Sequence, residues 1–326
     1  MEWLAVDESA KSLLTRVLSR RTPPFTSLPP LHRFPLHAGH VLEIAGPSNS
    51  GKSALLLQAA ISCILPKKSD GISYGGSEGS VMMLDLDCRF DMLQFVEALQ
   101  LQINETFERQ KGPSSSSTTS ECDRIFESCL KRFFYIPCRN SFQFLAVLKT
   151  LHAKIKRLNE MGMRPQLLMI DSINAFYWID RSLSSAISVP PGVGRTVLSL
   201  QVVSEAVVRE LSHILESHPM LVLSTKSLSQ SLSSMDRKHT DGSEDHTFSK
   251  KGSTSSEGMK GRNVLRDLMP AVWKGFVSHR LLLQGPFEQG PGNALENQFF
   301  TAEWQTPQLD HVDKFIIHKR GVGLVN

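Results

Sequence analysis

Residues 46–53 read GPSNSGKS, and this segment constrains the possible fold more than any other part of the chain. It matches the phosphate-loop pattern of Gly, any four residues, Gly-Lys and then Ser or Thr. An apolar run at 41–45 precedes it, and a helix-forming run at 54–64 follows it. A strand, a glycine-bounded loop and a helix in this order predict a phosphate-binding loop, with an ordinary Gly/Ser turn as the alternative.

The residue types in this loop are those that phosphate binding requires. Glycine lets the backbone bend so that successive N–H groups point at phosphate oxygens, and the following helix adds the positive end of its dipole. Lys52 is expected to reach the terminal phosphates, and the Ser53 hydroxyl to ligate Mg²⁺. The predicted nucleotide-binding residues are Gly46, Pro47, Ser48, Asn49, Ser50, Gly51, Lys52 and Ser53.

Composition limits the class of protein. With 326 residues, 40% of them hydrophobic, the chain can bury the core of one large α/β domain. No run is apolar enough to span a bilayer, and we expect no leader peptide. The five cysteines form no CxxC pair, which favours reduced thiols in the cytosol or nucleus. A net charge of +4 permits DNA contact but does not argue for it.

The distribution of proline and serine predicts the domain organisation. Residues 1–38 are expected to be an amphipathic helix followed by a proline-rich, extended tether, with the prolines at 21–37. Residues 39–326 are expected to form one domain. Two polar stretches within it, at about 111–123 and 227–262, are predicted to be disordered loops.

Hydrophobic patterns predict strands that alternate with helices. The predicted strands lie at about 40–45, 81–87, 132–138, 166–172 and 220–225, and the predicted helices at about 54–65, 90–102, 141–161 and 195–217, with a short helix before 132. This alternation indicates an α/β fold with a mostly parallel, doubly wound sheet. Three later segments, VSHRLLLQ, NQFFTAEW and DKFIIHK, are predicted to extend the sheet as antiparallel strands.

Acidic residues follow two of these strands. Asp171 ends the apolar strand at 167–170, where a carboxylate can hold Mg²⁺ or its water shell, or else cap a turn. Asp85 and Asp87 end the second strand, and the two-residue period of a strand predicts that both lie on one face. One of them could orient the attacking water, the nearer to the strand end being favoured, or both could be strand-end caps.

Three segments carry a resemblance to a known family. GHVLEIAGPSNSGKS, VMMLDLDCRFDML and QLLMIDSINAFYWID, in that order, resemble the ATPase core of the eukaryotic RecA-type recombinases, and more closely one of the DNA-repair paralogues of that family. The likeness covers about residues 39–225. It implies a RecA-like P-loop ATPase domain over 39–326, ATP and Mg²⁺ as ligands, nucleotide contacts at residues 46–53, and a metal site at Ser53 and Asp171.

The chain also departs from that family in ways that bear on activity. Where recombinases have a water-orienting Glu, it has Asp87, which is shorter by one methylene and is therefore a doubtful catalytic residue. A Thr-Asn-Gln triplet that senses the γ-phosphate is replaced by Ser224, Thr225 and Lys226. Lys226 could contact the γ-phosphate, but a solvated lysine is the favoured interpretation. We expect no N-terminal DNA-binding domain before residue 39 and find no Phe-x-x-Ala linker, so a self-assembled filament is not expected.

In this family two loops contact DNA, and here they correspond to about 181–195 and 226–266. The second loop carries eight basic residues, which are Lys226, Arg237, Lys238, Lys250, Lys251, Lys260, Arg262 and Arg266. Phe248 is its only Phe, Tyr or Trp, so any DNA binding would rest on phosphates, and a solvated disordered loop is equally compatible. For Phe176, Tyr177 and Trp178, core packing or a subunit contact is favoured over base stacking.

The resemblance implies an ATP-binding recombinase paralogue that acts in the nucleus, in homologous recombination and double-strand-break repair, including meiosis. The expected partners are other recombinase paralogues, including paralogue D, the recombinase itself, and single-stranded or branched DNA reached directly or through the complex. ATP is expected mainly to gate an interface, with at most weak DNA-dependent hydrolysis. The alternatives are an autonomous DNA-stimulated ATPase with strand-exchange activity and, with less support, a small-molecule P-loop kinase.

Overall fold

The structure is a computed structural model, and it describes residues 10, 28–111, 118–186, 199–230, 265–266, 268–288, 298–318 and 321–325. Most of the first predicted segment, and of the loops at 181–195 and 227–262, lies outside these ranges. None of the described helices is long and apolar enough to cross a lipid bilayer.

Within the described residues, nine strands form one sheet in the order β13-β12-β11-β10-β1-β7-β6-β4-β5. These strands are β1 (Val41–Gly46), β4 (Ser80–Asp85), β5 (Phe133–Pro137), β6 (Pro165–Asp171), β7 (Leu221–Ser227), β10 (His279–Glu288), β11 (Gln298–Thr306), β12 (Gln308–His318) and β13 (Gly321–Leu324). Two small ribbons pair β2 (Lys68–Ser69) with β3 (Ile72–Ser73) and β8 (Ser229–Gln230) with β9 (Leu265–Arg266).

Helices cover both faces of the sheet. They are α1 (Lys52–Ile64), α2 (Met92–Lys111), α3 (Thr118–Leu130), α4 (Ser141–Glu160), α5 (Tyr177–Ala186), α6 (Leu200–Ser217) and α7 (Ala271–Phe276). Residues of α1, α2 and α3 pack on one face of the sheet, and residues of α4, α6 and α7 on the other. Because both faces are covered, every residue of β1 and of β4 is buried, as expected for central parallel strands.

The α/β fold with a mostly parallel sheet and antiparallel C-terminal strands is confirmed. Strands β10, β1, β7, β6, β4 and β5 run parallel to one another, and β11, β12 and β13 continue the sheet with each strand antiparallel to the one before it. The prediction that all three late segments are antiparallel is wrong for the first of them, because β10 pairs in parallel with β1. The short strand β13 was not predicted.

Two segments differ from the sequence prediction. The tether prediction is wrong for residues 28–37, where a 3₁₀ helix at Leu31–Arg33 lies against the core and Leu28, Leu31 and Leu36 are buried. The disorder prediction is wrong for residues 118–123, which begin helix α3. In both segments, apolar side chains that lie near prolines or serines in the sequence pack against the core. The free energy gained by burying them outweighs the preference of the local sequence for an extended or disordered chain.

Candidate functional site at the carboxyl ends of the parallel strands

The phosphate-loop segment connects β1 to α1, as the sequence predicts. Gly51 is the residue before α1 and has a φ of +86°, a left-handed conformation that glycine adopts without strain. A Cβ on Gly46 would lie 2.6 Å from the carbonyl oxygen of Leu283 on β10, so only glycine fits there. The loop therefore runs close to the neighbouring strand and delivers the N-terminus of α1 to the sheet edge.

Lys52 is folded into this loop. Its side chain is buried, and Nζ donates hydrogen bonds to the carbonyl oxygens of Gly46 at 3.0 Å and Pro47 at 2.6 Å. Burial lowers the pKa of Lys52, while the charges of Asp171 and Asp87 act in the opposite direction. The loop lysine and the two predicted strand-end carboxylates are therefore close enough to interact electrostatically.

Asp171 ends β6 and is held by a residue of the adjacent strand β7. The Thr225 hydroxyl donates a hydrogen bond to Oδ1 of Asp171, and Thr225 itself is fully buried. Burial raises the pKa of Asp171, and the Thr225 hydrogen bond opposes that shift. No sequence motif assigns a role to Thr225, although the adjacency of two parallel strand ends is a signal that could identify it.

Asp85 and Asp87 have different surroundings. Asp85 is fully buried, and its carboxylate accepts hydrogen bonds from the Phe90 N–H at 2.9 Å and the Tyr135 hydroxyl at 3.0 Å. It therefore caps the turn after β4. Because β4 ends at Asp85, the prediction that one strand face carries both carboxylates is wrong.

Asp87 lies beyond the strand end, on the side of the phosphate loop. Burial raises the pKa of Asp87, and the positive charges of Arg89 and Lys52 oppose the shift. Of Asp85 and Asp87, Asp87 is thus the one that remains a candidate for contact with a nucleotide.

A cleft of about 510 Å³ opens between the phosphate loop and the C-terminal strands. The loop side is formed by residues 49–54, and the opposite wall by Pro286, Gln298, Phe300 and Ile317. The residues of this wall are not predictable from a sequence motif. Strands β10, β11 and β12 lie beside the phosphate loop only because β10 pairs with β1 and the other two strands follow β10 in the sheet.

The arrangement could hold a nucleotide and Mg²⁺ with few protein ligands to the metal. Backbone N–H groups, Lys52 and the exposed Ser53 hydroxyl surround one end of the cleft. In the described ranges, no three His, Cys, Asp or Glu side chains come together as a metal site. Mg²⁺ commonly binds through one or two protein groups, with phosphate oxygens and water as its other ligands, and Ser53 with Asp171 fits that pattern.

The prediction of a solvated Lys226 is wrong. Lys226 is 3% exposed, and its Nζ lies 2.5 Å from Oε1 of Glu43, a fully buried residue of β1. The other Glu43 oxygen accepts a hydrogen bond from the indole N–H of Trp273 at 2.6 Å, and Arg280 Nε lies 3.5 Å from Oε1. A buried carboxylate without a partner is energetically costly, so pairing with Glu43 explains why Lys226 is buried.

The aromatic cluster after β6 divides into two parts. Phe176 and Tyr177 are buried, as core packing predicts, whereas Trp178 is 62% exposed. The Arg181 guanidinium lies 5.9 Å from the ring centroids of Tyr177 and of Trp178, and Arg181 donates a hydrogen bond to the Tyr177 oxygen. Core packing therefore accounts for two of the three rings, and a contact role stays a prediction for Trp178.

Comparison with known proteins identifies relatives over most of the chain. No protein-family model matches it. The DNA repair protein XRCC2 homolog of Arabidopsis thaliana is 38% identical over 337 residues, which cover 97% of this chain and 87% of that protein. The DNA repair protein XRCC2 of Mus musculus is 29% identical over 250 residues, which cover 76% and 73% of the two chains. These relatives confirm the resemblance to a DNA-repair paralogue.

Proposed function

The chain belongs to the XRCC2 family of DNA repair proteins, and from that premise we propose that it is an ATP-binding recombinase paralogue. A role in DNA repair follows from membership of the family. We further propose that it acts in the nucleus, in homologous recombination and double-strand-break repair, including meiotic recombination. In that role it assists the loading or stabilisation of a recombinase on single-stranded DNA within a complex of paralogues.

One structural observation carries the nucleotide-binding part of this proposal. The phosphate loop, Asp171 and Asp87 come from three separate segments, and the fold brings them to one edge of the sheet, where their charges interact. In open α/β sheets this carboxyl edge is where ligands bind. A turn with no binding role would not require a buried lysine that faces two carboxylates.

The proposed ligands are ATP and Mg²⁺. Residues 46–53 cradle the phosphates with backbone N–H groups, and Lys52 exchanges its loop carbonyl partners for phosphate oxygens. Ser53 and Asp171 hold Mg²⁺, and Thr225 fixes the carboxylate. When bound, ATP supplies a γ-phosphate whose presence or loss distinguishes two states of an interface with a partner.

Hydrolysis is proposed to be slow or absent. Asp87 lies two residues beyond the end of β4 and is not assigned to Mg²⁺, and as an aspartate it reaches about one ångström less than a glutamate would. Lys226, at the position of the lost γ-phosphate sensor, is paired with Glu43. Both features favour nucleotide-dependent assembly over turnover.

The proposed partners are other recombinase paralogues, including paralogue D, and the recombinase, with single-stranded or branched DNA bound directly or through the complex. Trp178 is a candidate subunit contact, because its large ring is exposed at the same sheet edge. Most of the basic residues of the second candidate DNA loop lie outside the described residues. Direct DNA contact by that loop therefore rests on the sequence alone.

An autonomous ATPase stimulated by single-stranded DNA, with strand-exchange activity, is the second candidate function. The position of Asp87 favours it, because the carboxylate lies near Lys52 and Asp171. It predicts turnover that rises with DNA and falls in the Asp87→Asn variant. The first proposal predicts nucleotide binding with little turnover under the same conditions.

The deciding experiment measures binding of a fluorescent ATP analogue and ATP turnover by the purified chain, with and without single-stranded DNA. The Lys52→Ala variant should lose nucleotide binding, because Lys52 is the cation inside the loop. Lys67→Ala is a matched control, since Lys67 is exposed and lies beyond the other end of α1. Equal affinity in the wild type and Lys52→Ala would refute the assignment, and DNA-stimulated turnover lost in Lys52→Ala would favour the second candidate.

A further inference from the structure

Two cysteines lie side by side at the carboxyl ends of β4 and β5. Cys88 is exposed and stands three residues after β4, whereas Cys138 directly follows β5 and is fully buried. The Cys138 N–H donates a hydrogen bond to the Asp85 carbonyl oxygen at 2.8 Å, which fixes the end of one strand to the other. The other three cysteines, Cys63, Cys122 and Cys129, are buried.

The geometry brings the two side chains within reach of each other. Sγ of Cys88 lies 3.8 Å from the carbonyl oxygen of Cys138. A carbonyl oxygen is about 2.4 Å from its own Cα, so Sγ of Cys88 is within roughly 6.2 Å of the Cys138 Cα. A disulfide has a Cβ–Cβ separation of about 3.5–4.5 Å, so rotation of the two side chains with a small loop shift would join them.

Two further observations support this proximity. Burial raises the pKa of Cys138 to about 11, and the charge of Cys88 adds to the shift, so the two thiols interact electrostatically. Cys88 also has a φ of +51°, a left-handed conformation that is unfavourable for a residue with a Cβ. The turn that carries Cys88 is thus held in a strained form beside the second thiol.

We propose that Cys88 and Cys138 are a peroxide-sensitive thiol pair whose disulfide alters the adjacent nucleotide site. The exposed Cys88 thiol reacts with a peroxide, forming a sulfenic acid and releasing water when the oxidant is hydrogen peroxide. The Cys138 sulfur then attacks the Cys88 sulfur, the S–S bond forms, and the sulfenic hydroxyl leaves as a second water. The two thiols lose two electrons, and these reduce the peroxide.

The link to the nucleotide site is Asp87, the residue before Cys88, and this part of the inference rests on the proposed function. Drawing Cys88 toward Cys138 should move the backbone of Asp87, whose N–H donates a hydrogen bond to the carbonyl oxygen of Asp171 at 3.2 Å. A displacement of about one ångström is enough to change a binding site substantially. Oxidation should therefore change nucleotide affinity, and reduction should restore it.

The test treats the full chain with hydrogen peroxide, blocks the remaining thiols, and maps disulfide-linked peptides by mass spectrometry. A peptide pair joining Cys88 to Cys138 is expected as the main product, and the buried thiols of Cys63, Cys122 and Cys129 serve as internal controls. The affinity for a fluorescent ATP analogue should shift by about threefold or more and return after dithiothreitol. Cys88→Ser, a change at an exposed position, should remove both effects, as should Cys138→Ala.

The two readouts separate failure of this inference from failure of the proposed function. Oxidation of Cys88 without a link to Cys138 overturns the inference, whether or not nucleotide binds. A mapped disulfide with unchanged affinity, in a protein that binds nucleotide when reduced, overturns the regulatory part. If the reduced protein binds no nucleotide, the proposed function and the regulatory part fail, and peptide mapping still decides whether the thiol pair exists.

Discussion

Replacing Lys226 by Met tests the buried ion pair directly. Methionine has a similar length and no charge, so the substitution leaves the fully buried Glu43 carboxylate without its nearest cation, which lies 2.5 Å away. The indole N–H of Trp273 at 2.6 Å and Arg280 at 3.5 Å remain beside the carboxylate. The variant therefore measures what one buried cation contributes when part of its surroundings survives.

The expected loss of stability is large. Removing one member of a buried ion pair costs about 3–5 kcal/mol, because the remaining charge stays desolvated. Since Trp273 and Arg280 still contact Glu43, we expect the low end, about 3 kcal/mol. With an unfolding entropy of about 2.1 cal/mol/K per residue and 326 residues, that loss lowers Tm by about 4 °C.

Urea unfolding at pH 7, followed by circular dichroism, gives the free energy of unfolding of each variant. Lys149→Met is the matched control, because Lys149 also faces a carboxylate, that of Glu210 at 4.0 Å, but its side chain is 64% exposed. An exposed pair contributes about 0–1 kcal/mol. The double variant Glu43→Gln with Lys226→Met removes both charges, so it should recover about 1–2 kcal/mol of the loss.

If Lys226→Met unfolds with the same free energy as Lys149→Met, the buried pair does not exist in solution and the argument fails. The same variant also tests the loss of the γ-phosphate sensor. Because Lys226 is directed at Glu43, its removal should change the affinity for an ATP analogue by less than about threefold, or about 0.65 kcal/mol. A selective loss of triphosphate binding over diphosphate binding would instead assign Lys226 to the nucleotide.

Two other predictions concern carboxyl groups whose pKa is raised by desolvation. Thr225→Val keeps the side-chain shape but removes the hydrogen bond to Asp171. In a titration, the affinity for Mg²⁺-ATP should fall about tenfold, whereas the affinity for ATP without metal should not change. An equal loss of both affinities would contradict a metal-linked role for Asp171. Burial raises the pKa of Asp180, and the hydrogen bond that Asp180 accepts from Ser141 opposes the shift. Because the folded state therefore holds this proton more tightly than the unfolded state, the free energy of unfolding falls as pH rises above about 4. Calorimetry should therefore show that the Tm of Asp180→Asn rises relative to that of the wild type between pH 4 and pH 7. A fall of the Tm of the variant relative to the wild type over that range would refute the direction of the pKa shift.

The fold was predictable because its signals are local and consistent. Each central strand is an apolar run short enough to cross the sheet once, and β1, β4, β5 and β6 are each followed by a helical segment with an apolar face. Parallel strands joined by helices allow few topologies, so the doubly wound core follows from the pattern alone. The direction of β10 was not predictable in this way, because no segment near it in sequence fixes its partner, β1.

Segments with loop-like composition were predicted less well. Prolines around Leu31 indicate an extended chain, but the prediction could not include the surface that Leu28, Leu31 and Leu36 cover. The serines and threonines at the start of α3 favour a loop prediction. The buried residues that mark an amphipathic helix, Cys122, Ile125 and Cys129, come only after them. In both cases tertiary contacts outweigh the local preference.

Strand-end positions explain how much of the site could be predicted. Parallel strands bring their carboxyl ends to one edge, which is why the phosphate loop and Asp171 were predicted together and why they lie together. The roles of Thr225 and Asp85 were harder to predict, because they depend on the hydrogen-bond partners that each side chain meets in the folded protein. A hydrogen bond between Thr225 and Asp171 requires the register of β6 against β7, and no sequence pattern states that register.

Glu43 shows what physical reasoning can add to a sequence pattern. A carboxylate in the middle of a buried strand must be paired, so the sequence already required a partner for it. The partner could not be named, because Lys226 and Trp273 lie 183 and 230 residues away along the chain. We therefore expect Lys226 to stay paired with Glu43 and not to contact a nucleotide, since a lysine that neutralises a buried glutamate is less available to a phosphate.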